Sequence, residues 1–272
     1  MPELAALLPM VALLLAIGAF AGIIAGLLGV GGGIVLVPAF FFTFTHLGYG
    51  GPQLMQVCVA TSLATIVFTS VRSVLAHNRK GAVDWAILRS WAPFIVGGAI
   101  LGVLAASSLK SVALQAIFGV MGLIVGLYMA FGREDWRLGA EMPTGAARGL
   151  LASLVGFVSV LMGIGGGTFG VPLMSLYAVP IHRAVATASG FGFMIALPSV
   201  VGFLLLPVAD SPPYTIGAVN LPAFLIIMAT TMTTTTWGVK LAHAMDPKPL
   251  KRVFALFLTV VALNMLRRAA GW

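Results

Sequence analysis

The chain has 272 residues, of which 60% are hydrophobic and 8% charged, and its mean hydropathy is +1.09. A soluble domain carries about 25% charged residues, so this composition lacks the polar surface of a water-soluble globule and points to lipid as the solvent. The formal charge of +8 would suggest a nucleic-acid ligand in a soluble protein. Here the basic residues lie in short loops between apolar runs, and no basic stretch has interleaved aromatics, which argues against nucleic acid and for a record of membrane orientation.

The apolar runs fall at 4–28, 32–45, 54–76, 86–107, 112–131, 145–163, 167–180, 184–206, 219–242 and 250–268. Several exceed the roughly 20 residues a helix needs to cross a bilayer. The first run contains Ala19-Phe20-Ala21, which resembles a leader cleavage site, but only Pro2 and Glu3 precede it, with no Lys or Arg. It also leads into the first copy of a repeat, so it is read as retained. The two runs of about 14 residues, at 32–45 and 167–180, follow glycine breaks and are too short to span, which is the pattern of re-entrant segments or short paired helices.

The repeat is the main internal signal. Residues 22–38 read GIIAGLLGVGGGIVLVP and residues 156–172 read GFVSVLMGIGGGTFGVP, identical at eight of 17 positions. It continues in Val59-Ala60-Thr61-Ser62 and Val185-Ala186-Thr187-Ala188-Ser189, and in Gly81-Ala82-Val83-Asp84 and Gly217-Ala218-Val219-Asn220. The spacings of these pairs are 134, 126 and 136 residues. The chain therefore reads as an N-terminal membrane repeat (1–132), a polar linker (133–144) and a C-terminal membrane repeat (145–272). The expected fold is all-α and polytopic, each half a glycine-broken V plus three transmembrane helices. Three crossings is odd, so the halves are expected to be inverted relative to each other.

Loop charge orients this arrangement. With the N-terminus outside, 12 of the 15 basic residues lie on the cytoplasmic side, and only Lys110, Arg267 and Arg268 lie outside.

A duplicated break in apolar sequence is the best pointer to a transporter's binding site. Gly31, Gly32 and Gly33, with Gly165, Gly166 and Gly167, permit positive φ and close ligand approach. Each triplet precedes a helix whose first amides lack partners and carry partial positive charge, a ready anion site. The competing reading is close helix packing. Thr61, Ser62, Thr187 and Ser189 are candidate donors to the same anion, against the alternative that they bond their own helices. Arg72, His182 and Arg183 are candidate pathway or coupling residues, or simple interface anchors. Asp84 and Asn220 read as helix N-caps. In the threonine run at 230–236, Thr233 and Thr234 align with Gly97 and Gly98, and the run reads as small packing positions. Cys58 reads as a small buried hydrophobe. No zinc-protease, nucleophile-elbow or Walker A motif is present, and neither catalytic residues, a metal nor a cofactor is expected.

The quoted motifs resemble the TauE/SafE sulfite-exporter family. The resemblance rests on GLLGVGGGIVLVP (26–38), VATS (59–62), GAVDW (81–85), GIGGGTFGVPLM (163–174) and PIHRAVATAS (180–189). It implies an inner-membrane secondary transporter that exports a small sulfur-containing anion, such as sulfite or an organosulfonate, by alternating access. The alternatives are a passive anion channel, or a membrane enzyme handling sulfur species through Cys58 or His182. Expected partners are the small anion and the lipid bilayer, with a homodimer as a further candidate.

Overall fold

The computed structural model describes residues 4–29, 31–132, 136–244 and 247–271. The sequence readings placed on Pro2, Glu3 and Arg133, and on the side chains of Lys248, Lys251 and Arg252, lie outside the described residues. The helices are α1 (Leu4–Leu28), α2 (Gly33–His46), α3 (Leu54–Asn78), α4 (Trp85–Ser108), α5 (Ser111–Phe131), α6 (Gly145–Met162), α7 (Gly167–Leu176), α8 (Ile181–Leu204), α9 (Leu221–Ala244) and α10 (Pro247–Ala269). Each coincides with an apolar run to within a few residues. The addition is a small antiparallel hairpin, β1 (Thr215–Ile216) and β2 (Val219–Asn220), closed by Gly217 at φ 57°.

Among the described residues, six helices are long and apolar enough to cross a membrane: α1 over Val11–Leu28, then α3, α4, α5, α6 and α8. The first arm of each V, α1 or α6, therefore has spanning length. The second arms, α2 with 14 residues and α7 with 10, do not. The helix α9 matches the spans in length at 24 residues, but its threonine run lowers its hydropathy.

The principal helix pairs are α1 with α9, α4 with α6, α5 with α10 and α3 with α8. The repeat equates α1 with α6, α2 with α7, α3 with α8, α4 with α9 and α5 with α10, and exchanging the halves maps this set of pairs onto itself. Every pair joins a helix of the first half to one of the second. The two most enclosed spans are α3 and α8.

Helices in lipid gain little from hydrophobicity and associate through small residues that bring backbones together. On α1, Gly18, Gly22 and Gly26 recur every fourth residue and face α9. A Cβ at Gly22 would fall onto Thr234 Oγ1 and 2.9 Å from Thr231 Cα, and one at Gly26 would fall onto Thr235 O and 2.8 Å from Val239 N. The equivalent α4–α6 contact uses Gly156 against Ile95 O and Gly98 against Ser153 O. Three of the α9 threonines bond their own helix: Thr231 Oγ1 donates to Ile227 O, Thr234 to Thr230 O and Thr235 to Thr231 O. Their polarity is thereby satisfied within the helix, which frees their compact side chains for the packing role read from the alignment with Gly97 and Gly98.

Candidate functional site

Both breaks begin with a left-handed glycine. Helix α6 ends in a Schellman motif: Gly163 N–H donates to Val160 O (2.9 Å) and Ile164 N–H to Ser159 O (3.0 Å), with Gly163 at φ 65°. The equivalent Gly29 follows α1 at φ 67°. Each of these glycines seats on the central helix of the opposite half. A Cβ at Gly29 would lie 2.5 Å from Val185 O on α8, and one at Gly163 would lie 2.9 Å from Val59 Cα on α3. Val59 and Val185 are equivalent in the repeat.

Between these anchor points the two breaks touch. A Cβ at Gly31 would lie 3.3 Å from Gly165 Cα, and one at Gly33 would fall onto Gly163 O and 2.8 Å from Ile164 Cα. Close packing of the backbones is thus part of what the glycines do. The copies are not conformationally identical: Gly31 and Gly32 are left-handed (φ 71° and 79°), whereas Gly166 has φ −63°. Gly166 is required instead by Phe191, whose Cβ occupies the space a side chain would need.

The short helices start where the breaks meet. Val35 and Leu36 N–H donate to Gly32 O (3.0 and 3.1 Å), and Gly170 N–H donates to Gly166 O (2.7 Å). Neither N-terminus has a side-chain cap. The first-turn amides therefore present partial positive charge at the junction. Two buried hydroxyls near the second break, Thr168 Oγ1 in the first turn of α7 and Ser159 Oγ on α6, have no hydrogen-bond partner; their residues are 3% and 0% exposed. Buried polar atoms without partners are uncommon because desolvation costs about 1–3 kcal/mol each. Neither residue stands out in the repeat, since neither has a polar equivalent in the first half (Ile34 and Ala25).

The four candidate hydroxyls are all buried and all bonded within the protein. Ser62 Oγ donates to Gly163 O (2.7 Å), which ties α3 to the second break. Thr61 Oγ1 accepts the Asn220 N–H (3.0 Å), and Thr187 Oγ1 accepts the Asp84 N–H (2.9 Å), the same bond made in both halves. Ser189 Oγ donates to Val185 O (3.0 Å) and lies 2.9 Å from Ser73 Oγ. Replacing Thr61 or Thr187 by valine strands a backbone donor and is expected to cost about 1–3 kcal/mol. Thermal unfolding in detergent checks this: an unchanged midpoint in both variants would contradict the assigned bonds.

Asp84 caps α4 by accepting from Ala86 and Ile87 N–H (both 3.1 Å), and Asn220 caps α9 through Ala223 N–H (3.1 Å). Arg183 is ion-paired with Asp84 at 2.8 Å on an exposed surface, where such a pair contributes little. Arg72 is exposed. His182 stacks on His243 with ring centroids 5.8 Å apart, and His243 Nε2 lies 3.2 Å from Nδ1 of the buried His77. The only trace of this cluster in the sequence is that all three histidines fall near helix ends assigned to one side.

The sulfite exporter TauE/SafE family matches residues 14–265. The chain belongs to this family. A "probable membrane transporter protein" of Haemophilus influenzae is 31% identical over 255 residues, covering 93% of this chain and 97% of that protein. One from Methanocaldococcus jannaschii is 29% identical over 257 residues (93% and 94%), and YunE of Bacillus subtilis is 30% identical over 215 residues (70% and 76%). No solved structure gives a significant match. As a TauE/SafE member with six apolar helices of spanning length, the protein is a membrane transporter.

Proposed function

We propose that this transporter exports a small sulfur-containing anion, sulfite or an organosulfonate, by alternating access across a bacterial inner membrane, with the N-terminus periplasmic. The observation that carries the reading is the contact of the two glycine breaks, Gly31 against Gly165 and Gly33 against Gly163 and Ile164, each break leading into an uncapped helix N-terminus, with the unpartnered hydroxyl of Thr168 in the first turn of α7. Such a junction offers amides and hydroxyls to an oxyanion without a buried cation. Inverted halves are supported by the self-mapping pattern of helix pairs, and the cytoplasmic assignment by the 12 basic residues gathered on one side. The breaks are in contact here, so the anion enters as they part and leaves after the halves rock about the junction. Gly31, Gly32, Gly33, Gly165, Gly166 and Gly167 supply the backbone; Thr168 adds a side-chain donor.

The test is efflux from liposomes loaded with sulfite, thiosulfate, sulfoacetate or taurine. Saturable sulfite efflux is expected, and Thr168→Val is expected to raise the half-saturating concentration about tenfold, the worth of one hydrogen bond to a charged group. Unsaturable efflux would identify a channel. Retention of every anion, or wild-type affinity in Thr168→Val, would overturn the reading.

A further inference from the structure

His77, in the last turns of α3, is 1% exposed. Its Nε2 lies 3.1 Å from the carbonyl of Gly26 on α1, and its Nδ1 lies 3.2 Å from Nε2 of His243 on α9. A carbonyl only accepts, so the His77 proton sits on Nε2 and Nδ1 is the acceptor. It follows that His243 Nε2–H is the donor. The exposed His182 on α8 stacks on His243. Three imidazoles from three helices thus run from the surface to a buried position, and every tautomer along the buried part is fixed by its partner.

Comparison of the two halves separates this cluster from the needs of the fold. Gly81 and Gly217 close equivalent turns (φ 65° and 57°), in which Ala82 N–H donates to His77 O and Ala218 N–H to Phe203 O. His77 and Phe203 are therefore structural equivalents, and Phe203 is fully buried. By the same spacings, His182 corresponds to Gln56 and His243 to Ser107. Gln56 bonds the carbonyls of Ala106 and Leu109. At the three equivalent positions one end carries no titratable group and the other carries three histidines.

We propose that His77, His243 and His182 form a proton-binding relay at the end of the bundle that carries the 79–84 loop, and that its occupancy biases the first glycine break. A proton taken up on His243 Nδ1, with His182 at the entrance, is matched by transfer of the His243 Nε2 proton to His77 Nδ1. His77 becomes the imidazolium, still donating from Nε2 to Gly26 O, and His243 is left neutral with its proton on Nδ1. Gly26 is in the last turn of α1, where carbonyls lack helical partners and the dipole favours a cation. Three residues later Gly29 opens the break. One turn before His77, Ser73 bonds Ser189, beside which Gly29 packs. The charged groups on the surrounding described elements are Arg79 and Lys80 of the loop, the Arg183–Asp84 pair and Lys240 of α9; α1 carries none.

This inference supplies the coupling ion for the transport reading above and rests on it only for its flux arm. In nanodiscs, 15N-imidazole spectra of the full chain are expected to show His77 as the Nε2–H tautomer. Because coupled sites interact by about one pK unit or more, H243Q is expected to move the His77 titration midpoint by about that much. An Nδ1–H tautomer, or the same His77 midpoint in H243Q and wild type, would overturn the relay. In liposomes, H77Q keeps a donor for Gly26 O but cannot titrate. The ratio of sulfite flux with and without an imposed pH gradient is expected to fall to one in H77Q, and a wild-type ratio would overturn the link to the break. If no anion moves in any variant, the transport reading fails, while the spectra still decide the relay.

Discussion

Replacing Gly163 by valine is expected to abolish stable folding in detergent. The residue has φ 65°, a conformation that costs a residue with a Cβ about 1–2 kcal/mol and a β-branched one more. The new side chain would meet Val37 Cγ2 at 2.7 Å and Val59 Cα at 2.9 Å. Overpacking of this kind typically costs a further ~1–3 kcal/mol. Val59 lies on α3, the most enclosed span, so the backbone it would have to displace is held on all sides. The same displacement breaks the Ser62–Gly163 hydrogen bond. A combined loss of about 2–5 kcal/mol is a large share of a typical domain's margin. Size-exclusion profiles and unfolding temperature of Gly163→Val and Gly163→Ala check this; a valine variant as stable as wild type would mean that the breaks are not packed as described.

Gly22→Leu is expected to be comparably severe, by separating two helices rather than straining a turn. The leucine Cβ alone would overlap Thr234 Oγ1 and crowd Thr231 Cα. The threonine cannot swing aside at no cost, because its hydroxyl is bonded to Thr230 O. The wedge would push α1 from α9, carry Gly26 with it and remove the carbonyl that His77 holds. Gly156→Leu, the same change in the second half, would drive α6 from α4 through Ile95 O. Both variants are expected to lose the monodisperse peak, and either one eluting and melting as wild type would contradict the assigned helix pairs. A Gly22→Ala control is expected to fall between, since its Cβ meets the same atoms but nothing extends beyond it.

The helices were readable because apolar length marks a span and the Gly-rich breaks mark where one ends; boundaries agree from α1 to α10 to within a few residues. The duplication made Asp84 and Asn220 recognisable as caps. What pattern could not supply was partnership across the halves. Thr61 and Thr187 look like free donors in sequence, yet each accepts a backbone N–H more than 100 residues away. His77 follows the end of the third apolar run and acquires its meaning only from Gly26 and His243, which no local rule places beside it. Thr168 and Ser159 are ordinary membrane-helix hydroxyls until the fold buries them beside a break without partners.

The helix pairs also bear on how such a chain could have arisen. Since α1 packs with α9 and α4 with α6, a single half on its own would present two long glycine-rich faces with nothing against them. The left-handed glycine that ends its first helix would likewise lack the foreign helix on which it seats. A solitary half would find both surfaces only in another copy of itself. The present chain is then best viewed as an interlocked pair sharing one backbone, in which divergence such as His77 opposite Phe203 became affordable once the partners were no longer obliged to be identical.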